Sequence, residues 1–186
     1  AGVAASPSVS VVAYAFAGVR RDTAAVRLRR LFDGKYLAIG DSYAGVRILD
    51  LAKPEYERIL QGHIDSIQSL SRGSTRWLLS AGADGRILEW HPTILDQPTV
   101  EGLRKHDEFK SRLGFRDSTP LTSIDTSGDG KLILIGGRKG RLELWDGDEQ
   151  LQIATHFPGH QTSDIQAVAL APDGKFFVTA DASTIL

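Results

Sequence analysis

Four nearly continuous apolar runs, each preceded by a turn and a basic residue, recur along the chain of 186 residues. They read KYLAIG from Lys35, RWLLSAG from Arg76, KLILIGG from Lys131 and KFFVTA from Lys175, at intervals of 41, 55 and 44 residues. A strand that is apolar on successive residues must be covered on both faces. Alternating runs stand before them, namely AVRLRRL, IQSLS, LTSID and IQAVAL, and alternation predicts strands with one more exposed face.

Two further segments repeat in step with these runs. A third apolar run ends as VRILD at Asp50, RILEW at Trp90 and RLELWD at Asp146, and a Gly-His pair stands at Gly62-His63 and Gly159-His160. The turns between the runs contain Asp and Gly, which suit hairpins that need positive φ or a side-chain bond to the backbone. Helix caps followed by a 3.6-residue period are largely absent. The pattern therefore predicts an all-β protein built from repeats of four short strands.

The combined motifs resemble those of the WD-repeat β-propeller family. They are GHIDSIQSL from Gly62, SAGADGRILEW from Ser80, RLELWD from Arg141 and GHQTSDIQAVALAPDGKFF from Gly159. The resemblance extends from about Val11 to Leu186. It implies a β-propeller of four-stranded antiparallel blades, with about four units that are part of a larger or truncated ring.

The periodicity divides the chain into an N-terminal segment, residues 1–10, and propeller blades over residues 11–186. The units are expected at about 19–61, 62–101, 116–158 and 159–186, the last one incomplete. An insertion at about 98–118 lengthens the second interval, and Leu103, Phe109 and Leu113 permit a short helix there. The run SVSVVAYAF before the first unit suits the fourth strand of a blade, with a signal-peptide remnant as the alternative.

The resemblance also implies a hydrogen-bonded structural tetrad in the second unit, formed by His63, Ser80, Asp84 and Trp90. Read without the family, Ser, His and Asp suggest a hydrolase. A nucleophile must face its substrate beside an oxyanion hole, whereas this serine lies in an apolar strand, so we expect a structural role. The other units depart from the tetrad: the first has Ile39, Tyr43 and Leu49, the third has Ile135 and Lys139, and the fourth keeps His160 and Thr179 with Ala182 or Ser183 in place of the Asp.

Candidate motifs for metal and phosphate binding lack the residue spacing that such sites require. DTSGDG from Asp125 is similar to the start of a calcium loop, but its twelfth position is Gly136 where a Glu is required. GGRKGR from Gly136 lacks the spacing of a phosphate loop. The chain has no cysteine, and its five histidines form no i, i+4 pair on a predicted helix. We therefore predict no cofactor, no metal site and no enzymatic activity.

The expected partners are proteins or peptides. The formal net charge of −1 gives no overall attraction to nucleic acid or an anionic membrane, and no apolar run is long enough to cross a bilayer. The family resemblance implies a scaffold in a multiprotein assembly, located in the cytoplasm or nucleus, rather than a protein with a small-molecule substrate. It also implies contacts on the face of the Gly-His loops, where the candidate residues are Asp65, Arg138, Lys139 and Asp164.

Two alternatives stay open. Five arginines lie within eleven positions, Arg20, Arg21, Arg27, Arg29 and Arg30. They suit either a solvated strand face or an anion or nucleic-acid site, and Arg20 and Arg21 are candidate partner contacts. The second alternative is a propeller enzyme with a site in its central channel. Against it, the expected strand starts are apolar, so no convergent ligand set is predicted.

Overall fold

The computed structural model describes residues 27–31, 34–72, 78–90, 110–111, 119–149, 151–154, 160, 163–182 and 185. These residues contain β-strands and turns and no α-helix. The strands form three four-stranded sheets and one two-stranded sheet, all antiparallel, and within each sheet the strands lie side by side in chain order.

The strand bounds follow the repeats. The first sheet contains β1 (Arg27–Leu31), β2 (Tyr36–Gly40), β3 (Gly45–Asp50) and β4 (Lys53–Gln61). The second contains β5 (Ile67–Arg72), β6 (Leu78–Gly82), β7 (Ile87–Trp90) and β8 (Lys110–Ser111). The third contains β9 (Leu121–Thr126), β10 (Leu132–Gly137), β11 (Leu142–Asp146) and β12 (Leu151–Ala154). The fourth contains β13 (Ala167–Leu170) and β14 (Phe177–Ala180).

The predicted insertion supplies the outer strand of the second sheet. Lys110 pairs with Glu89 and Ser111 with Leu88 of β7. At these two positions the open edge of β7 offers backbone hydrogen bonds to an extended segment. Leu103, Phe109 and Leu113, for which a short helix is expected, lie outside the described residues.

The Asp-Gly-Lys sequence forms the turn before the second strand. In the third sheet Gly130 has a φ of 73°, a left-handed value that favours glycine. The carboxylate of Asp129 accepts hydrogen bonds from the Ser127 hydroxyl (2.6 Å) and the Lys131 N–H (3.1 Å). These bonds hold the pKa of Asp129 below its usual value. The same turn recurs at 173–175, so local turn chemistry explains why this tripeptide marks the repeats.

Three apolar cores lie between successive sheets, and the second strands of the second and third sheets each contribute to two of them. Leu78 packs into the core shared with the first sheet, and its neighbour Leu79 into the core shared with the third. Ile133 packs toward the second sheet and Leu134 toward the fourth. Adjacent residues of a strand point to opposite faces. The stacked, antiparallel all-β architecture predicted from the continuous apolar runs is thereby confirmed.

The first strands of neighbouring sheets are joined by side-chain hydrogen bonds. Ser69 Oγ in β5 accepts the backbone N–H of Ile124 in β9 (3.2 Å), and Ser123 Oγ in β9 accepts the N–H of Val168 in β13 (3.1 Å). Ser69 and Ser123 hold the same position in LTSID and IQSLS. We call this repeated contact the first-strand ladder.

One end of the sheets, here called the loop end, carries the segments that enter the first strands and the turns between second and third strands. These segments are residues 41–44, 62–66, 83–86, 138–141 and 163–166. Backbone bonds tie neighbouring sheets together there, from Ile67 N–H to the Asp41 carbonyl (2.9 Å) and from Ile165 N–H to the Gly137 carbonyl (3.0 Å).

Candidate interaction site

His63, Ser80, Asp84 and Trp90 form one hydrogen-bonded chain in the second sheet. Trp90 Nε1 lies 2.8 Å from Ser80 Oγ, which lies 2.7 Å from His63 Nε2. His63 Nδ1 lies 2.9 and 3.0 Å from the carboxylate oxygens of Asp84. The four residues come from β6, β7, their connecting turn and the loop before β5, so the chain links the sheet to its loop end.

The donors follow from Trp90, because an indole N–H can only donate. Ser80 Oγ accepts from Trp90 and directs its own O–H to His63 Nε2. His63 then carries its hydrogen on Nδ1 and donates to Asp84. Every polar atom of this series has a partner, as buried groups require. Ser80 is fully buried, so this arrangement does not present a nucleophile to a substrate.

Asp84 also fixes the backbone on both sides of it. One carboxylate oxygen accepts the N–H of Ile64 and the other the N–H of Arg86, each at 3.0 Å. Burial acts to raise the pKa of Asp84, but the hydrogen bonds from His63 and from these two backbone groups outweigh it, and the pKa lies below its ordinary value. The carboxylate is therefore ionised at neutral pH.

In the third sheet the tryptophan N–H has a different acceptor, because Ile135 stands where the second sheet has a serine. Trp145 Nε1 donates to one carboxylate oxygen of Glu143 (2.8 Å), and Arg141 Nε donates to the other (2.8 Å). Arg141, Glu143 and Trp145 alternate along the chain and so share one face. That spacing is the sequence signal for this contact, and a comparison of units by tetrad positions alone overlooks it.

A cross-strand pair relates the two arrangements. Ile135 lies opposite Glu143 in the third sheet, and Ser80 lies opposite Leu88 in the second. Each pair combines one polar and one apolar residue, but the polar residue is on the second strand in one sheet and on the third strand in the other. The position of the polar group, rather than its presence, differs between these sheets.

The first sheet resembles the third in this respect. Ile39 of β2 lies opposite Arg47 of β3, and Arg47 Nε lies 3.1 Å from the carboxylate of Asp41, which is buried. The other oxygen of Asp41 accepts the backbone N–H groups of Tyr43 and Gly45, each at 2.9 Å. Asp41 thus fixes the turn between β2 and β3, as Asp84 does between β6 and β7.

In the fourth sheet the acidic partner of His160 is Asp181, so the expectation of Ala182 or Ser183 at this place is wrong. His160 Nδ1 lies 2.8 Å from Asp181 Oδ2, and Nε2 lies 2.9 Å from Thr179 Oγ1. The interval from histidine to aspartate is 21 residues, as in the second sheet, but the hydroxyl residue lies closer to the aspartate. Counting from the hydroxyl passes over Asp181, whereas counting from the histidine finds it.

Three of the predicted partner contacts come together at the loop end. Arg138 Nε in the β10–β11 turn lies 3.8 Å from Asp164 Oδ2 in the segment before β13, and their side chains are 61% and 55% exposed. The backbone N–H of Lys139 donates to Asp164 Oδ1 (2.9 Å). Asp65 lies at the same end in the loop before β5, where it is exposed and accepts the N–H of Ser66 (2.6 Å).

Lys139 adopts an unusual backbone conformation. Its φ is 57° and that of Gly140 is 71°, the pair of values required by the two-residue hairpin turn between β10 and β11. A side chain in this region costs about 1–2 kcal/mol relative to a right-handed conformation. An exposed lysine held in a costly conformation is an observation that motivates a functional hypothesis for this turn.

Two large apolar side chains at the loop end are not among the predicted contacts. Tyr43 is 67% exposed and Ile64 is 73% exposed. Each stands between polar or small residues in a turn or loop, as Ser42-Tyr43-Ala44 and His63-Ile64-Asp65. An apolar residue in such a position is the sequence signal that could identify them.

The remaining predictions concern the arginine cluster, metal sites and membrane spans. Arg20 and Arg21 lie outside the described residues and stay predictions, and Arg27, Arg29 and Arg30 are described only as backbone of β1. Within the described ranges, no three His, Asp or Glu residues are grouped to hold a metal ion. The described part of the chain also has no helix with the length and hydropathy to span a bilayer.

Comparison with known proteins identifies two WD repeats and the fold. Residues 54–91 and 151–186 match the family profile described as WD domain, G-beta repeat. A chain in a solved structure, "Crystal Structure of Mitotic Checkpoint Complex", superposes with a TM-score of 0.69 at 20% identity, over 88% of this chain and 46% of that one. The chain contains WD repeats in these two segments and has the fold of a β-propeller. Its sheets are blades of a propeller, and the four described here form an incomplete ring.

Three proteins similar to this chain are named as parts of protein complexes. Target of rapamycin complex subunit wat1 of Schizosaccharomyces pombe is 26% identical over 81% of this chain and 45% of its own length. Anaphase-promoting complex subunit cdc20 of Dictyostelium discoideum is 24% identical over 75% and 26%, respectively. Elongator complex protein 2 of Schizosaccharomyces pombe is 29% identical over 67% and 17%. The chain spans less than half the length of each of these relatives.

Proposed function

We propose that this WD-repeat chain is a non-catalytic scaffold that holds proteins or peptides at its loop end within a multiprotein assembly. The observation that carries the proposal is the exposed charged cluster of Arg138, Lys139 and Asp164, which spans the third and fourth blades. Membership of complexes among the named relatives supports it. The cytoplasm or nucleus is the expected location.

This cluster suits recognition better than stabilisation. Exposed ion pairs contribute about 0–1 kcal/mol to folding, so Arg138 and Asp164 can exchange their contact for one with a partner at little cost to the fold. Two cations and one anion at fixed positions select a partner by charge complementarity and speed its encounter. Asp65 adds an acidic group at the same end of the second blade.

Affinity capture from a native lysate with the full-length protein tests the proposal. Reversing the charges at the cluster, as Arg138→Glu with Lys139→Glu or as Asp164→Lys, should reduce recovery of the captured proteins several-fold, and Asp65→Lys should do the same. The melting temperature should stay unchanged with the Arg138 and Lys139 reversals, because these side chains are exposed, and should fall slightly with Asp164→Lys, which removes the acceptor of the Lys139 N–H.

A matched ion pair at the opposite end serves as the control. Lys175 Nζ lies 3.6 Å from Asp173 Oδ2 in an exposed turn, and Lys175→Glu should leave capture intact, because the carboxylate of Asp173 still accepts the backbone N–H of residue 175. Capture that survives the loop-end reversals, or falls equally with the control, would contradict the proposal. So would a drop in melting temperature that accounts for the loss.

A further inference from the structure

Tyr43 and Ile64 are exposed apolar residues in two adjoining segments of the loop end. The backbone bond from Ile67 N–H to the Asp41 carbonyl (2.9 Å) joins the turn that bears Tyr43 to the loop that bears Ile64. Large exposed aromatic and aliphatic groups on a surface are candidates for binding contacts, particularly where polar residues surround them.

The backbone beneath both side chains is held by buried carboxylates. Asp41 accepts the N–H of Tyr43 (2.9 Å), and Asp84 accepts the N–H of Ile64 (3.0 Å). Ile64 also follows His63 directly, and the ring of His63 is fixed on both nitrogens. These side chains are therefore presented on prearranged backbone, which lowers the entropy lost when a partner binds.

The residue that follows Ile64 is acidic. Asp65 follows Ile64 in the exposed loop and accepts a hydrogen bond from its neighbour Ser66 (2.6 Å). Among the residues the structure describes, no cationic side chain forms an ion pair with Asp65. A lysine or arginine from a partner would complement this carboxylate, whereas an acidic residue would be repelled by it.

We propose that Tyr43, Ile64 and Asp65 form an anchor site for a short segment of a partner protein that carries a large apolar side chain next to a lysine or arginine. The apolar side chain packs against Tyr43 and Ile64, and the basic group pairs with Asp65. This inference rests on the proposed docking function and assigns to it a second contact, on the first two blades, with a stated ligand chemistry.

Selection from a library of random dodecapeptides displayed on phage, with the full-length protein as bait, tests this anchor site. Peptides that combine a large apolar residue with an adjacent lysine or arginine should be enriched. A synthetic peptide of that sequence should lose about tenfold or more in affinity, by fluorescence anisotropy, with Tyr43→Ser or Ile64→Ser. With Asp65→Lys as bait, selection should favour acidic residues in place of basic ones.

Phe176 provides the control, because it is 65% exposed but lies in the β13–β14 turn at the opposite end. Phe176→Ser should leave the affinity unchanged. The anchor site is overturned if no such peptide is enriched, if Tyr43→Ser and Ile64→Ser do not weaken binding more than Phe176→Ser, or if Asp65→Lys does not change the selected charge. If the Arg138 and Asp164 reversals still reduce partner capture in that case, the docking function stands without the anchor site.

Discussion

Asp84 shows how much of a blade can depend on one side chain. Its two oxygens accept hydrogen bonds from the His63 ring and from the backbone of Ile64 and Arg86. The same carboxylate therefore holds the buried chain that ends at Trp90 and the loop that presents Ile64. A change at this position should affect both the stability of the sheet and the surface above it.

The lowered pKa of Asp84 gives its stabilising effect a definite pH dependence. The unfolded-state pKa of an aspartate is about 3.9, and the folded-state value lies below it. The contribution is therefore fully present above the unfolded value and is lost as the pH falls through the folded value. Asp84→Asn should lower the free energy of unfolding at pH 7 by about 1.5–3 kcal/mol and flatten its decline below about pH 4, as measured by urea unfolding across the acid range. An acid profile parallel to that of the wild type would contradict this assignment.

Lys139 allows stability and binding to be separated. Lys139→Gly removes the cost of about 1–2 kcal/mol of a side chain on left-handed backbone. It also stabilises the unfolded state by about 0.5–1 kcal/mol, through the greater chain entropy of glycine. The free energy of unfolding should rise by about 0.5–1 kcal/mol, while partner capture falls because an ammonium group is lost. Lys131→Gly, at an exposed lysine that is not left-handed, should lower stability instead. A destabilised Lys139→Gly variant would show that the turn is not strained.

Within a pair of strands, the second and third blades provide an acceptor for the N–H of their tryptophan in two different ways. The second blade places its hydroxyl on the second strand, opposite a leucine, and the third places its carboxylate on the third strand, opposite an isoleucine. In both blades one position of this pair is polar, and it accepts the N–H of the tryptophan. The tetrad is therefore one way to bond the tryptophan of a blade, and the third blade folds without it.

A double-mutant cycle in the third blade tests this exchange. Glu143→Leu removes the acceptor of Trp145 Nε1 and of Arg141 Nε and should lower the free energy of unfolding by about 1–3 kcal/mol. Adding Ile135→Ser offers Trp145 the hydroxyl that Ser80 gives to Trp90, so the double variant should be more stable than the sum of the two single effects by about 1 kcal/mol. Urea unfolding measures the four proteins, and strictly additive effects would refute the exchange.

For the whole molecule, local sequence patterns predict the fold, whereas the exposure of loop residues depends on how the sheets stack. Continuous apolar runs and the Asp-Gly-Lys turn require only neighbouring residues, and they predicted the stacked antiparallel sheets. The contact between Glu143 and Trp145 is also local, within one strand, but a comparison of units by tetrad positions overlooks it. The same comparison overlooks Asp181, which lies closer in sequence to its hydroxyl residue than Asp84 does. The exposure of Tyr43 and Ile64 depends on what neighbouring loops leave uncovered, which a single unit does not encode.

The first-strand ladder helps to set the spacing of the loop-end segments of the second, third and fourth blades. Because Ser69 and Ser123 make the same bond to the first strand of the next blade, the second, third and fourth blades are joined at equivalent positions. A partner with two contacting segments gains avidity only when the linker between them spans that interval. The half-buried serines of the ladder thus contribute to the distance between the loop-end segments of successive blades, and so to the length of linker that a partner with two contacts requires.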